Sequence, residues 1–250
     1  MTAVKQTWTT FRIDLAYHGA LFAGYAIQPQ PLRTVQAELQ TRLSFLFQQD
    51  IKLLASGRTD ALVHAYHQVC SFRVKGPTPI SPVNIYQFLQ KTAPDIHILR
   101  VNLVDNSFHA QKSVRSKTYQ YIIQKQFDLT KVHLTYLYDG PIDVLKLQRC
   151  LDLFVGTHDF YSFTTSPNQT STIRTINWIK VKTTKTQIII SINGNGFMRY
   201  MVRMLVGSAF MYATNKIHLS SVQAKLIQPQ KGSAIYKMPG SGLYLKKIYY

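Results

Sequence analysis

Two hydrophobic periods alternate along this chain, and the alternation limits the folds open to it. From Thr10 to Tyr17 polar and apolar residues take turns, as in a half-buried strand, before a turn at His18-Gly19. From Val35 to Phe47 the apolar residues Val35, Leu39, Leu43, Leu46 and Phe47 recur at helical spacing, with Thr34 placed as the N-cap. An apolar run Ile51–Ala55, a loop Ser56–Asp60, a strand His67–Val74, a helix after Pro82 and a strand Ile96–Val104 complete a first round. A second round follows: a strand Lys117–Lys125, a helix Asp143–Phe154, strands Ile173–Thr183 and Gln187–Asn193, a helix Phe197–Ala213 and a last strand Gly242–Tyr250. This order predicts an α+β fold built around sheet, in two α/β domains, 1–105 and 106–250, divided near Asp105–Phe108. No Gly/Pro/Ser linker marks the division, so the halves are expected to share a packed interface. No short-period repeat points to a solenoid or propeller.

Composition narrows the partner. The chain has 250 residues, with 29 Lys and Arg against 11 Asp and Glu, a formal charge of +18. The surplus comes from missing acids: Glu38 is the single glutamate, beside ten aspartates. Such an excess implies a polyanionic partner, RNA or DNA first and an anionic membrane surface second. A membrane-surface protein would need an amphipathic helix with a cationic face, and the Phe197–Ala213 segment is too uniformly apolar. No stretch has the ~20 apolar residues that span a bilayer, and Met1 to Phe11 lack a signal-peptide core, so a cytoplasmic protein is expected. Cys70 and Cys150 stand in apolar surroundings and read as reduced core thiols. His64-x-x-His67 has no third ligand at metal-site spacing, so no metal is expected.

Three stretches hold groups suited to chemistry. Ser56-Gly57-Arg58-Thr59-Asp60-Ala61 sets an acid beside an arginine in a small-residue loop, where a cation would keep the carboxylate ionised; the plainer reading is an Asx-type turn. In the second, Phe197–Gly207, Arg199 and Arg203 fall four apart on one face of an otherwise apolar helix. Buried guanidinium requires a carboxylate or phosphate, whereas snorkelling to the surface suits Arg199 at least as well. Arg203 reads as the deeper of the two, and so as a partner for Asp60. In the third, Phe108-His109-Ala110-Gln111 is followed by Lys112, Arg115, Lys117, Tyr119 and Tyr121, cations interleaved with rings as on a nucleic-acid surface. For Tyr121 packing within the sheet is the preferred reading.

These residues carry a resemblance. Gly57-Arg58-Thr59-Asp60-Ala61-x-Val63-His64-Ala65 resembles the G-R-T-D-A-G-V-H-A signature of the TruA-type tRNA pseudouridine synthases. Tyr17-His18-Gly19 with Phe22-x-Gly24-Tyr25 is similar to the family's Y-D-G…F-x-G-W, and Thr34-Val35-Gln36 to its T-V-Q. Phe108-His109-Ala110, Lys117-x-Tyr119-x-Tyr121 and Gly156-x-His158-Asp159-Phe160-x-Ser162-Phe163 match further blocks. Gly196-Phe197-Met198-x-x-Met201-Val202-Arg203 resembles F-L-x-x-M-V-R, and Gly242-Leu243-Tyr244-Leu245 matches G-L-Y-L.

The resemblance implies largely antiparallel sheets with a basic catalytic cleft between the two domains, as in the pseudouridine synthase fold. It implies Asp60 as the catalytic aspartate, Arg203 as its paired arginine, Tyr119 against the target base and Leu243 lining the same pocket. Arg58 takes the signature arginine's place, with a role in opening the RNA site. Lys112, Arg115, Lys117 and Arg199 are expected to bind the RNA. The implied enzyme is a cytoplasmic homodimer without a cofactor, acting on uridines at positions 38, 39 and 40 of the tRNA anticodon stem-loop. Leu62 replaces the signature glycine, Tyr25-Ala26 replaces W-Q, and Gln111 replaces an arginine. A catalytically weak paralogue that binds or folds RNA, its pocket blocked by Leu62, is the alternative.

Overall fold

The computed structural model describes residues 7–166 and 171–250. Residues 1–6, part of the stretch read above as lacking a signal-peptide core, lie outside them. The chain forms two compact units, one running up to Arg115 together with Lys247–Tyr250, the other Ser116–Lys246.

In the first unit, β1 (Trp8–Tyr17) pairs antiparallel with β3 (His64–Lys75) on one side and β4 (Ile96–Val104) on the other, and β2 (Leu54–Ala55) adds to β3. Phe11, Ile13 and Leu15 of β1 are buried at alternate positions, as the period of two demands. Helix α1 (Val35–Phe47) buries Val35, Leu39, Leu43 and Phe47, and the Thr34 hydroxyl accepts from the Ala37 N–H at 3.2 Å. Its end is set by Gln48, which turns left-handed at φ 51°. Helix α2 (Pro82–Thr92) begins with a capping box between Ser81 and Asn84. Segment 247–250 fastens here: the Ile248 N–H donates to His67 Nδ1, the Tyr250 hydroxyl donates to the Ala110 carbonyl, and Arg12 stacks on the Tyr250 ring.

In the second unit, β5 (Ser116–Gln124), β9 (Gln187–Gly194), β8 (Ile173–Thr183) and β7 (Gly156–Asp159) form a continuous antiparallel order. A short β6 (Tyr136–Leu137) runs parallel to β5, and the start of β10 (Leu243–Tyr249) lies beside β5. Helix α3 (Val144–Asp152), capped by Asp143, packs on α4 (Met201–Ala213), and α5 (Leu219–Ile227) follows. The aromatic trio Phe154, Phe160 and Phe163 is fully buried among them. Cys70 and Cys150 are buried free thiols, and burial pushes both up to about 12.

One expected element is corrected. The helix expected from Phe197 starts at Met201. Tyr200 sits left-handed at φ 62°, a conformation no helix can continue through, and the Phe197 ring instead packs edge-on against Tyr119 at 5.1 Å. Arg199 therefore lies before the helix and not four residues along one of its faces, and Arg203 stands in the first turn and not deep within it. Strand β7 is too short for a period to show, and helix α5, whose Leu219, Val222, Leu226 and Ile227 do recur at helical spacing, was not read from the sequence.

Candidate active site

The Asp60 loop is assembled from three directions within the first unit. Ser56, just after β2, donates its N–H to the Val69 carbonyl and its hydroxyl to Gln68 Oε1 at 2.6 Å; Gln68 Nε2 donates onward to the Gly57 carbonyl. The buried Tyr17 hydroxyl lies 2.7 Å from the Thr59 hydroxyl, and the Tyr25 N–H donates to the Thr59 carbonyl at 3.0 Å. Burial pushes the Tyr17 phenol up to about 12 even though the Thr59 bond favours the anion. Gly24, at φ 103°, lets the chain pass against this segment, since a Cβ there would stand 3.1 Å from the Thr59 carbonyl oxygen. The Gly19 N–H donates to Nδ1 of the buried His64, 3.1 Å away. Asp60 itself is half-buried and Arg58 exposed.

A tight turn follows at once. The Val63 N–H donates to the Asp60 carbonyl at 3.2 Å, and Leu62, third of the four residues, has φ 67°. A negative φ followed by a positive one is the pattern of a type II turn, which favours glycine at that place. Leu62 adopts glycine's conformation at a cost of about 1–2 kcal/mol, with 41 % of its surface exposed.

The other matched residues belong to the second unit. Tyr119 is a buried residue of β5, opposite Ile192 of β9. Two residues on, Tyr121 is wholly buried, its hydroxyl donates to the Pro239 carbonyl at 2.9 Å, and its ring fills the space where a Cβ on Gly242 would go. That ring props the turn leading into Leu243, the buried first residue of β10. Lys117 is half-buried, and desolvation pulls its ammonium down to about 8. Behind it, Asn193 Nδ2 donates to the Lys117 carbonyl and to the Thr118 hydroxyl, at 3.2 and 3.0 Å. Lys112 and Arg115 are exposed residues of the first unit, and the Arg115 N–H donates to the Tyr249 carbonyl.

Arg203 occupies the first turn of α4, where a cation opposes the helix dipole. Its Nε donates to the Met238 carbonyl at 2.6 Å, and the Met238 N–H donates back to the Arg203 carbonyl at 3.2 Å. Its guanidinium also lies over the Tyr200 ring at 5.1 Å, and that of Arg199 does so at 4.8 Å. Tyr200 is again third in a tight turn, closed by the Met201 N–H on the Met198 carbonyl. Thus a non-glycine residue at positive φ sits within three residues of each of the two groups, Asp60 and Arg203, singled out from the sequence. Strain of this kind gathers at functional sites.

Tyr17 and Gln68 stand in the matched blocks but were given no role from the sequence, and Asn193 was passed over; the work of all three is to hold loops and strands. For Asn193, a buried polar residue inside an apolar strand is the signal. Among the described residues no group of three His, Cys, Asp or Glu is placed to hold a metal ion, and no helix is long and apolar enough to cross a membrane.

Residues 151–250 match a family model described as tRNA pseudouridine synthase. A tRNA pseudouridine synthase A from Ureaplasma parvum serovar 3 is 47 % identical over 243 residues, 96 % of this chain and 99 % of the relative. The protein of that name from Malacoplasma penetrans is 43 % identical over 96 % of this chain and 100 % of its own. That from Lacticaseibacillus casei is 35 % identical over 97 % of this chain and 100 % of its own.

Proposed function

The chain belongs to the tRNA pseudouridine synthase A family, and we propose that it isomerises uridine to pseudouridine in tRNA with Asp60 as its carboxylate. The observation that carries the assignment is the fixing of the Asp60 loop by Tyr17, Tyr25, Gly24 and Gln68. A reacting group held this way meets its target without reorganising.

The reaction breaks the bond from N1 of uracil to C1′, turns the base, joins C5 to C1′ and releases the C5 proton to solvent, while N1 takes up a proton in its place. Asp60 either adds to C1′ or takes a ribose proton to form a glycal, and both roles need it ionised. Arg203 pairs with Asp60 to keep it so. Tyr119 packs against the extruded base, offsetting the few kcal/mol that unstacking costs, and Leu243 lines the same pocket. Arg58 helps to open the RNA, while Lys112, Arg115, Lys117 and Arg199 take phosphates. The substrate is the anticodon stem-loop at positions 38, 39 and 40, and the enzyme works as a homodimer in the cytoplasm. The excess of 29 basic residues over 11 acidic ones supports an RNA substrate.

The test is release of tritium from C5-tritiated tRNA. The wild-type protein is expected to release the label, and Asp60→Asn to bind the same tRNA, remain folded and release none. Substantial release by Asp60→Asn would remove Asp60 from the reaction.

A further inference from the structure

Three cationic heads surround one tyrosine ring in the second unit. The ammonium of Lys237 lies 4.1 Å from the centre of the Tyr200 ring, with the guanidinium groups of Arg199 and Arg203 at 4.8 and 5.1 Å. The Arg199 guanidinium also donates to the Tyr200 hydroxyl at 3.1 Å. Arg199 and Lys237 are exposed, and among the described residues no carboxylate forms an ion pair with either.

The cluster is built and held. Lys237 is brought to the ring by a segment locked across α4: the Tyr236 carbonyl rests against Gly207, where any side chain would collide with it, and Met238 exchanges two hydrogen bonds with Arg203. Arg199 is fixed from the other side, its carbonyl accepting from the Thr164 hydroxyl at 3.1 Å. Tyr200 keeps its ring in place from a left-handed backbone at φ 62°. Like charges gathered on one platform repel each other, and an anion shared between them reverses the sign of that interaction. A guanidinium that spends one N–H on a neighbouring hydroxyl still has a fork of donors to offer a phosphate.

We propose that Arg199, Tyr200 and Lys237 form a cradle for a backbone phosphodiester of the RNA, gripped between the two exposed cations. The inference rests on the RNA-modifying reading above and adds to it Lys237 and the Tyr200 platform. A phosphate contact fixes register and orientation without reading sequence. Because Arg203 touches the same ring, a strand held there is positioned relative to the arginine assigned to Asp60.

The experiment is binding of an unmodified tRNA transcript over a range of KCl concentrations, with tritium release followed in parallel. For Lys237→Gln we expect affinity at 0.1 M salt to fall about five- to ten-fold and the slope of log K against log salt to drop by about 0.7–0.9, the loss of one phosphate contact. The double variant Arg199→Gln/Lys237→Gln should lose about twice that slope. Lys237→Arg should restore it, and Tyr200→Leu should weaken binding with no change of charge. Lys182→Gln, a change of equal charge at an exposed residue of β8, should leave the slope nearer that of the wild type. A folded Lys237→Gln protein with the wild-type slope, or an equal drop in Lys182→Gln, would overturn the cradle. If the wild-type protein binds tRNA but releases no tritium, the assigned reaction fails while the slopes still decide the cradle.

Discussion

The carbonyl of Tyr236 lies directly against the α-carbon of Gly207, in the place a side chain would occupy. A Cβ at position 207 would also stand 2.9 Å from the Tyr236 carbonyl carbon, and both are backbone atoms that no rotamer change can move aside. Gly207→Ala should therefore displace the segment holding Lys237 and Met238 at a cost of about 1–3 kcal/mol. Thermal melting should show a clear drop, accompanied by weaker tRNA binding. A variant that melts with the wild type would mean the segment yields freely.

Leu62 offers the opposite change. At φ 67° it bears a strain that glycine lacks, and its exposed side chain loses little packing when removed. Leu62→Gly should raise stability by about 1 kcal/mol, measured as a higher urea midpoint at unchanged slope. A lower midpoint would show that the leucine side chain contributes more than its backbone costs.

Arg203→Met should slow pseudouridine formation at least about ten-fold, near 1.4 kcal/mol of barrier. Arg203→Met with the wild-type rate on the same tRNA would refute the pairing.

Alkali should destabilise the fold chiefly above about pH 10. Burial holds Tyr17, Cys70 and Cys150 protonated up to about 12, against ordinary values of 10.0 for the phenol and 9.0 for the thiols. Between those values the unfolded chain releases protons that the folded one keeps, so stability falls as pH rises. Lys117 acts in reverse: lowered from 10.5 to about 8, it contributes stability that increases across that interval. Melting temperature should consequently change little from pH 8 to 10 and fall steeply from 10.5 to 12. Replacing Cys70 and Cys150 by alanine should flatten the steep part, and an unaltered slope would argue that the thiols titrate freely.

The legible part of the molecule is the part where a local signal and the packed structure agree. In α1, the Thr34 cap and the four-residue spacing of Val35, Leu39 and Leu43 appear in the sequence as they do in the fold. Both limits of Ile96–Val104 and of Ile173–Thr183 are readable for the same reason. Phe197–Tyr200 is not, because an apolar run looks helical whether or not it winds, and the deciding contact, Phe197 on Tyr119, comes from β5. The sequence marks Leu62 as the residue where a glycine was expected, but only the structure shows the leucine taking up glycine's backbone. Lys237 carries no signal at all. Its role depends on how a non-periodic segment crosses α4, which no local pattern encodes.

The return of Lys247–Tyr250 to the first unit imposes a schedule on synthesis. Residues up to Arg115 leave the ribosome while Ala110 still lacks the Tyr250 hydroxyl, Arg12 its stacking ring and His67 the Ile248 N–H. The second unit is continuous in sequence and can close as it emerges, whereas the first must wait for its last strand segment. The entropy of closing so long a loop grows only logarithmically with its length, so the delay is one of time more than of free energy. Until that segment arrives, the unfinished surface of the first unit is the one around Arg12 and His67.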